Sequence, residues 1–326
     1  YRFSFCVTAS IVAVNSVVLV LGLFQGLSQW IVRLIFYGVF VLAFLKNVVA
    51  YLDRRYRRLV DAKFHDVRTL KGKYRVLVLV ILFFIVCGKY VKKAARFLSL
   101  DYWRKIRSYS PQRVRIKIKE WLWDLGHRIS FLFWEYGIPV AVIVYGMAYF
   151  SYGAFQVHSY GYGDLYTHHA WIYGLIEGEI FKEGVYPEAM HCFIYCMHTL
   201  FGIKVYSILL FLQGIHVAVF LLSAYFLLRK IFRWRYTPVF VLMLFLTLDL
   251  CNGDLIHSMF RLQITMPMEF GLHTVCLSAL YFSNYLDKEY VPLAGKKGKV
   301  KKYLWDENLL LLMLSLAAAV MTHFHT

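Results

Sequence analysis

Acidic residues are scarce in this chain: 19 Asp and Glu stand against 37 Lys and Arg in 326 residues, for a formal net charge of +18. A paired-cysteine framework is also missing. Cys6, Cys87, Cys192, Cys196, Cys251 and Cys276 sit mostly in or beside apolar runs, where a free thiol behaves as a small hydrophobe. They therefore define no disulfide scaffold and leave the redox compartment open. Cys192 and Cys196 with His191 and His198 have the make-up of a metal cluster, but cysteines four apart on an apolar helix are usually packing residues. No fixed-period repeat and no low-complexity tract is present. The first apolar run has no A-x-A-like end and another run follows at once, which argues against a cleavable signal peptide.

Apolar residues are abundant instead. They make up 60% of the chain, with mean hydropathy +0.55, where an ordinary soluble domain holds about 45–50%. The excess falls in runs over 3–24, 29–52, 76–86, 129–152, 204–228, 236–250, 262–285 and 306–322. Most are long enough to cross about 30 Å of hydrocarbon. The expected fold is all-α, a polytopic transmembrane helical protein with seven or eight spans. The run at 76–91 is the shortest, and basic segments lie on both sides of it, so it either lies flat, re-enters, or carries one basic segment across.

Between the runs, Lys and Arg number 9 in 54–75, 12 in 89–128, 4 in 229–235 and 6 in 288–302, which is 31 of the 37. Loops on the cytoplasmic face of a membrane hold such an excess, and anionic lipid rewards it there. This distribution argues against nucleic acid as the partner of the positive charge. Segment 92–128, with RVRIKIK at 113–119 and Trp121 and Trp123 beside the next run, reads as amphipathic helix on the inner surface or as a solvated basic loop. Segment 53–128 is then the place where a cytoplasmic or membrane protein partner would dock.

The outer side is left with Lys182, Lys204 and Arg261, and with the polar island HSYGYGDLYTHHAWIYGLIEGEIFKEGVYPEAMHCF at 158–193. Five of the 19 acids are there (Asp164, Glu177, Glu179, Glu183, Glu188), with His158, His168, His169 and His191. A helix starting near Asp164 puts His168 on the same face at i+4 and His169 elsewhere. A carboxylate beside an imidazole suits general-base work, although Asp at that place also caps helices. Glu177 and Glu179, two apart, cannot share a helical face, so one is expected to look into the site and the other into water. EGVYP at 183–187 is expected to end this helix. His191 opens a short apolar helix over 191–203, expected in the outer interface, as a substrate contact or a packing residue. Arg261, with Asp254 and His257 near it, is the outer cation suited to an anionic ligand. Glu135, an acid at the start of its span, is a further ionisable group in the membrane. Near the end of the chain, His323 and His325 are two more outer histidines.

Gly163-Asp164, His168, Gly184, Tyr186-Pro187 and His191, in a first long outer loop made of two short helices, resemble the GT-C superfamily of membrane glycosyltransferases. The resemblance covers about residues 129–326 and rests on one acid and a loop shape. It implies a GT-C-like fold, with 129–326 as the catalytic core, incomplete if the native chain continues past Thr326, and 1–128 as an added N-terminal membrane module. It implies an inverting transfer from a polyprenyl-phosphate-linked sugar donor, a membrane lipid, to a glycan, lipid or protein acceptor outside the cell. Asp164 would be the general base, aided by His168. His169, Glu177, His191, His257 and Arg261 would bind substrate, with Arg261 on the phosphate. No cofactor is certain; Asp164, His168 and Glu177 could hold a divalent ion such as Mg or Mn, but the spacing does not demand one.

Two other classes stay open. A transporter or flippase for a lipid-linked or anionic solute would need ionisable groups at the midplane, which the later spans are expected to lack. A non-catalytic partner in an envelope-polymer complex would use the basic N-terminal module for docking.

Overall fold

The structure, a computed structural model, describes residues 1–61, 88, 91–92, 111–156, 160, 163–182, 184–252, 261–287 and 306–323. All regular structure among them is helical. In chain order the helices are α1 (Arg2–Leu23), α2 (Gln29–Asp61) and α3 (Pro111–Leu132), which runs through a π-helical turn (Phe133–Gly137) into α4 (Ile138–Gln156). Then come α5 (Gly163–Glu177), α6 (Ala189–Phe201), α7 (Val205–Ile231) and α8 (Thr237–Asn252). A 3-10 turn (Arg261–Gln263) leads to α9 (Pro267–Leu286), and α10 (Glu307–Thr322) follows.

Among the described residues four stretches are long and apolar enough to cross a membrane: Arg2–Leu23, Gln29–Tyr51, Lys119–Gln156 and Val205–Ile231. The runs expected at 236–250, 262–285 and 306–322 are helical over most of their length. However, α8 and α10 have 16 residues each and reach only about 24 Å. Of segment 76–91, only Gly88 and Val91 lie within the described residues. Of the segment read as amphipathic, Pro111 onward is helical and 93–110 lies outside the described residues.

The chain divides into two compact units, Tyr1–Leu34 with Leu132–Thr326, and Ile35–Phe131. In the second unit the described part of α2 turns large apolar side chains outward, among them Leu42 and Phe44, with Phe40 stacked on Phe44 at 6.4 Å.

The first unit has apolar side chains outside and small polar ones within. Val140, Val144, Phe240, Leu244 and Val320 are exposed, while Ser4, Thr8, Ser223, Thr274 and Ser315 are buried. Lipid removes the hydrophobic drive between helices, so close packing of small residues takes over, with most of these hydroxyls answered by a carbonyl of their own helix. Thr8 Oγ1 donates to the Ser4 carbonyl at 2.8 Å and Ser315 Oγ to that of Leu311 at 2.8 Å. Gly146 lets α4 approach α7 and α8, since a Cβ there would overlap Leu221 and press on Leu246. Both belong to the core of Ile143, Phe150, Val217, Leu221, Leu242, Leu246 and Leu262. α9 packs along α7 and α10, and α1 against α10 and α6. The N-terminal helix is therefore part of the same body as the later helices.

The bundle has two distinct ends. At one, Gly22 of α1 meets Ile180, and Gly178 approaches the Leu27 carbonyl, so the α1–α2 turn lies against the α5–α6 loop. At the other, Tyr1 lies on Tyr281 with centroids 5.9 Å apart, Glu135 bonds Arg229 at 3.6 Å and also pairs with Arg235, and Lys230 pairs with Asp287. Glu135, flagged as an in-membrane acid, is thus neutralised by two arginines.

Candidate functional site

The polar island folds as two short helices, as its pattern implies, with one change. α5 ends at Glu177, several residues before Tyr186-Pro187, because Gly178 adopts φ +92° and stops the helix there. The loop then turns through Phe181 at φ +55° and Gly184 at φ +137°. Glu188 closes it by accepting the Phe181 N–H at 3.2 Å. That carboxyl is almost fully buried, and burial pushes its pKa up to about 7, partly opposed by the Phe181 hydrogen bond.

α5 and α6 pack together and bring His168 and His191 into contact. His168 Nδ1 and His191 Nε2 are 2.9 Å apart, and both rings are buried. One nitrogen must donate and the other accept, so the two tautomers are linked. Burial pushes His168 down to about 4, partly offset by the Asp164 carboxylate and reinforced by His323. Burial, and then His168, hold His191 well below the usual histidine range. The pair is therefore neutral at pH 7. Asp164 is exposed in the first turn of α5, one turn before His168 and within its electrostatic reach.

Aromatic rings wall the pair. Trp171 lies 5.3 Å from both His168 and His191. Tyr186 lies 5.1 Å from Trp171 and 5.8 Å from His323 at the end of α10. Burial raises the Tyr186 hydroxyl, with Glu269 adding to the rise and Arg261 opposing it. Those two residues form an ion pair: Arg261 Nε is 2.6 Å from Glu269 Oε1, and Nη2 donates to Oε2 at 3.3 Å. Glu269 is 2% exposed and Arg261 30%.

Of the residues marked by sequence, Asp164, His168 and His191 come together, with Arg261 linked to them through Tyr186. His169 turns to another side of α5, against Tyr160 at 5.6 Å and Tyr173 at 4.9 Å. Glu177 and Glu179 are both more than half exposed and both pair with Lys182, at 2.6 and 3.6 Å. Neither therefore looks into the histidine cluster, contrary to the expected division between them. Asp254, His257 and His325 lie outside the described residues. No group of three or more His, Cys, Asp or Glu among the described residues could hold a metal ion.

Sequence reasoning missed Glu269, the partner of Arg261. The sign was available, since an acid two residues after Pro267 at the head of an apolar helix calls for a partner. It also missed a buried polar seam where α7 meets α9. Gln213, His216, Glu269 and His273 are all at most 3% exposed, and Thr265 Oγ1 donates to Gln213 Oε1 at 3.4 Å. The expectation that the later spans hold almost no ionisable groups is thereby corrected.

The fold and site define an all-helical protein with several apolar helices long enough for a membrane and a histidine cluster on two short helices between them. Neither a family model, nor a curated protein, nor a solved structure matches this chain.

Proposed function

We propose that the protein is a membrane glycosyltransferase that moves a sugar from a polyprenyl-phosphate carrier to an acceptor hydroxyl on the extracytoplasmic side. The observation that carries this reading is the His168–His191 hydrogen bond at 2.9 Å, with Asp164 one turn before it. The acceptor oxygen attacks the anomeric carbon as the bond to the carrier phosphate breaks, with inversion. Asp164 takes the hydroxyl proton. A neutral His168 orients that carboxylate and stabilises it, and His191 fixes the His168 tautomer from behind. The faces of Trp171 and Tyr186 suit the C–H face of a sugar ring. Arg261, held by Glu269 and still 30% exposed, steadies the leaving phosphate with its remaining N–H groups. The basic end of the bundle is then cytoplasmic and the histidine end outside.

The test is Asp164→Asn in membranes given labelled carrier-linked sugar. Transfer should fall by about 100-fold or more, the usual scale of a general base, with the protein still folded. Transfer at the wild-type rate removes Asp164 from its role.

A second reading, transport of an anionic solute, draws on the seam of Gln213, His216, Glu269 and His273. Solute uptake into vesicles without product formation, lost in His273→Leu, would favour it over transfer.

A further inference from the structure

We propose that the groove between α4 and α8 is a binding site for an anionic phospholipid, with one acyl chain in the groove and the phosphate on the arginines at its basic end. The groove has a volume of about 350 Å³. One wall is Phe133, Gly137, Ala141 and Tyr145, from the π turn and α4; the other is Met243 and Leu246 of α8. The side chains flanking it, Val140, Val144, Phe240 and Leu244, are exposed and apolar. In a bilayer such a face meets hydrocarbon, and a groove of this kind is filled by a chain rather than by water.

Charge at one end selects the headgroup. Glu135 sits in the π turn at the level of the lining residues Phe133 and Gly137, two residues from each and so on a different face of the helix. Arg229 and Arg235 pair with it, and Arg233 between them is exposed. One carboxylate pairs with two guanidinium groups, and the exposed Arg233 adds a third in the same turn, so arginines outnumber the acid that pairs with them. Around them stand interfacial aromatics. Trp134 lies edge-on to Tyr236 at 6.4 Å, Arg235 sits 5.6 Å over the Tyr236 ring, and Trp234 is 80% exposed. Aromatic rings at headgroup depth beside unneutralised arginine set the position of a lipid phosphate, and the guanidinium fork binds two of its oxygens. A zwitterionic lipid brings no net charge to this rim and gains less. The site lies at the end opposite the histidine cluster, and it stands or falls independently of the glycosyltransferase reading.

The experiment is native mass spectrometry of the full chain in mild detergent, offered equal amounts of phosphatidylglycerol and phosphatidylcholine with the same acyl chains. Retention of phosphatidylglycerol should exceed that of phosphatidylcholine by about tenfold or more. Arg233→Gln should reduce the preference about fivefold, the usual worth of one basic residue near a membrane surface. Glu135→Gln, which removes the carboxylate that pairs with Arg229 and Arg235, should increase it. Ala141→Phe, which fills the groove without touching charge, should remove retention of both lipids. The proposal is overturned if the two lipids are retained equally, or if Ala141→Phe leaves retention unchanged. It is also overturned if neither lipid is retained, since the groove is then covered by the chain itself. Thermal unfolding of each variant separates a lost site from a lost fold.

Discussion

Replacing Arg261 by Met tests whether the ion pair with Glu269 holds the histidine end together. Removing one partner of a fully buried pair costs about 3–5 kcal/mol, because the remaining charge is left uncompensated. Glu269 meets that condition at 2% exposure, but Arg261 is 30% open to solvent. Water screens part of the attraction and can enter the gap, which lowers the expected cost to about 2–3 kcal/mol. For a body of this size each kcal/mol shifts the midpoint by about 2–4 °C, so Arg261→Met should unfold about 4–12 °C below wild type. The assay is thermal unfolding in detergent, read by size-exclusion fluorescence. Arg261→Met/Glu269→Leu, which removes both charges, should regain most of the loss, because the cost lies in a buried carboxylate that has lost its arginine. A single variant as stable as wild type would refute the reasoning, as would a double variant no better than the single.

Stability should rise with pH from about pH 4.5 to 6.5, because two lowered histidines, His168 and His191, outweigh one raised carboxyl, Glu188. His168 is lowered from 6.5 to about 4, so the unfolded chain binds the extra proton there and stability rises with pH, by up to about 3 kcal/mol. Glu188 is raised from 4.5 to about 7, so the folded chain binds the extra proton and stability falls as pH rises. Melting curves of His168→Gln should therefore rise less with pH than wild type, because His191 and Glu188 then oppose each other, and those of Glu188→Gln should rise more steeply; slopes unchanged from wild type in both would refute the assignment. Gly22→Ala should destabilise by about 1–3 kcal/mol, because the new Cβ overlaps Ile180. Ile180→Ala in the same chain should restore unfolding to near wild type, and no rescue would mean that the contact is not the cause. Neither ring nitrogen of buried His216 has a hydrogen-bond partner among the described residues, so His216→Leu should leave stability unchanged or raise it by about 1 kcal/mol; a clear loss in the same melting assay would show that the ring is in use.

Much of the helical layout was legible because lipid-facing helices leave long apolar runs, and α5 and α6 stood out as a polar interruption. The start of α5 followed from Gly163-Asp164 and its shared face with His168. Its end did not, because the left-handed glycine that stops it, Gly178, looks no different in sequence from Gly174 inside the helix. Pairings across the chain were beyond reach. Nothing local tells that Arg261 turns to Glu269, that Glu177 is taken by Lys182, or that His168 stops against His191 while His169 faces Tyr160. Glu269 and His273 were hidden for a different reason: in an apolar run the eye weighs the average, whereas a single buried charge in a span carries more information than its neighbours.

The first compact unit is discontinuous in sequence, Tyr1–Leu34 resuming at Leu132. Arg33 Nε donates to the Thr199 carbonyl at 2.7 Å, on the same short helix as His191. The chain's first 34 residues are thus bound to the fate of the histidine helices, and any truncation that removes them breaks the Arg33–Thr199 bond. Both boundaries of 35–131 lie inside continuous helices, so a cut at either one severs a helix rather than a loop.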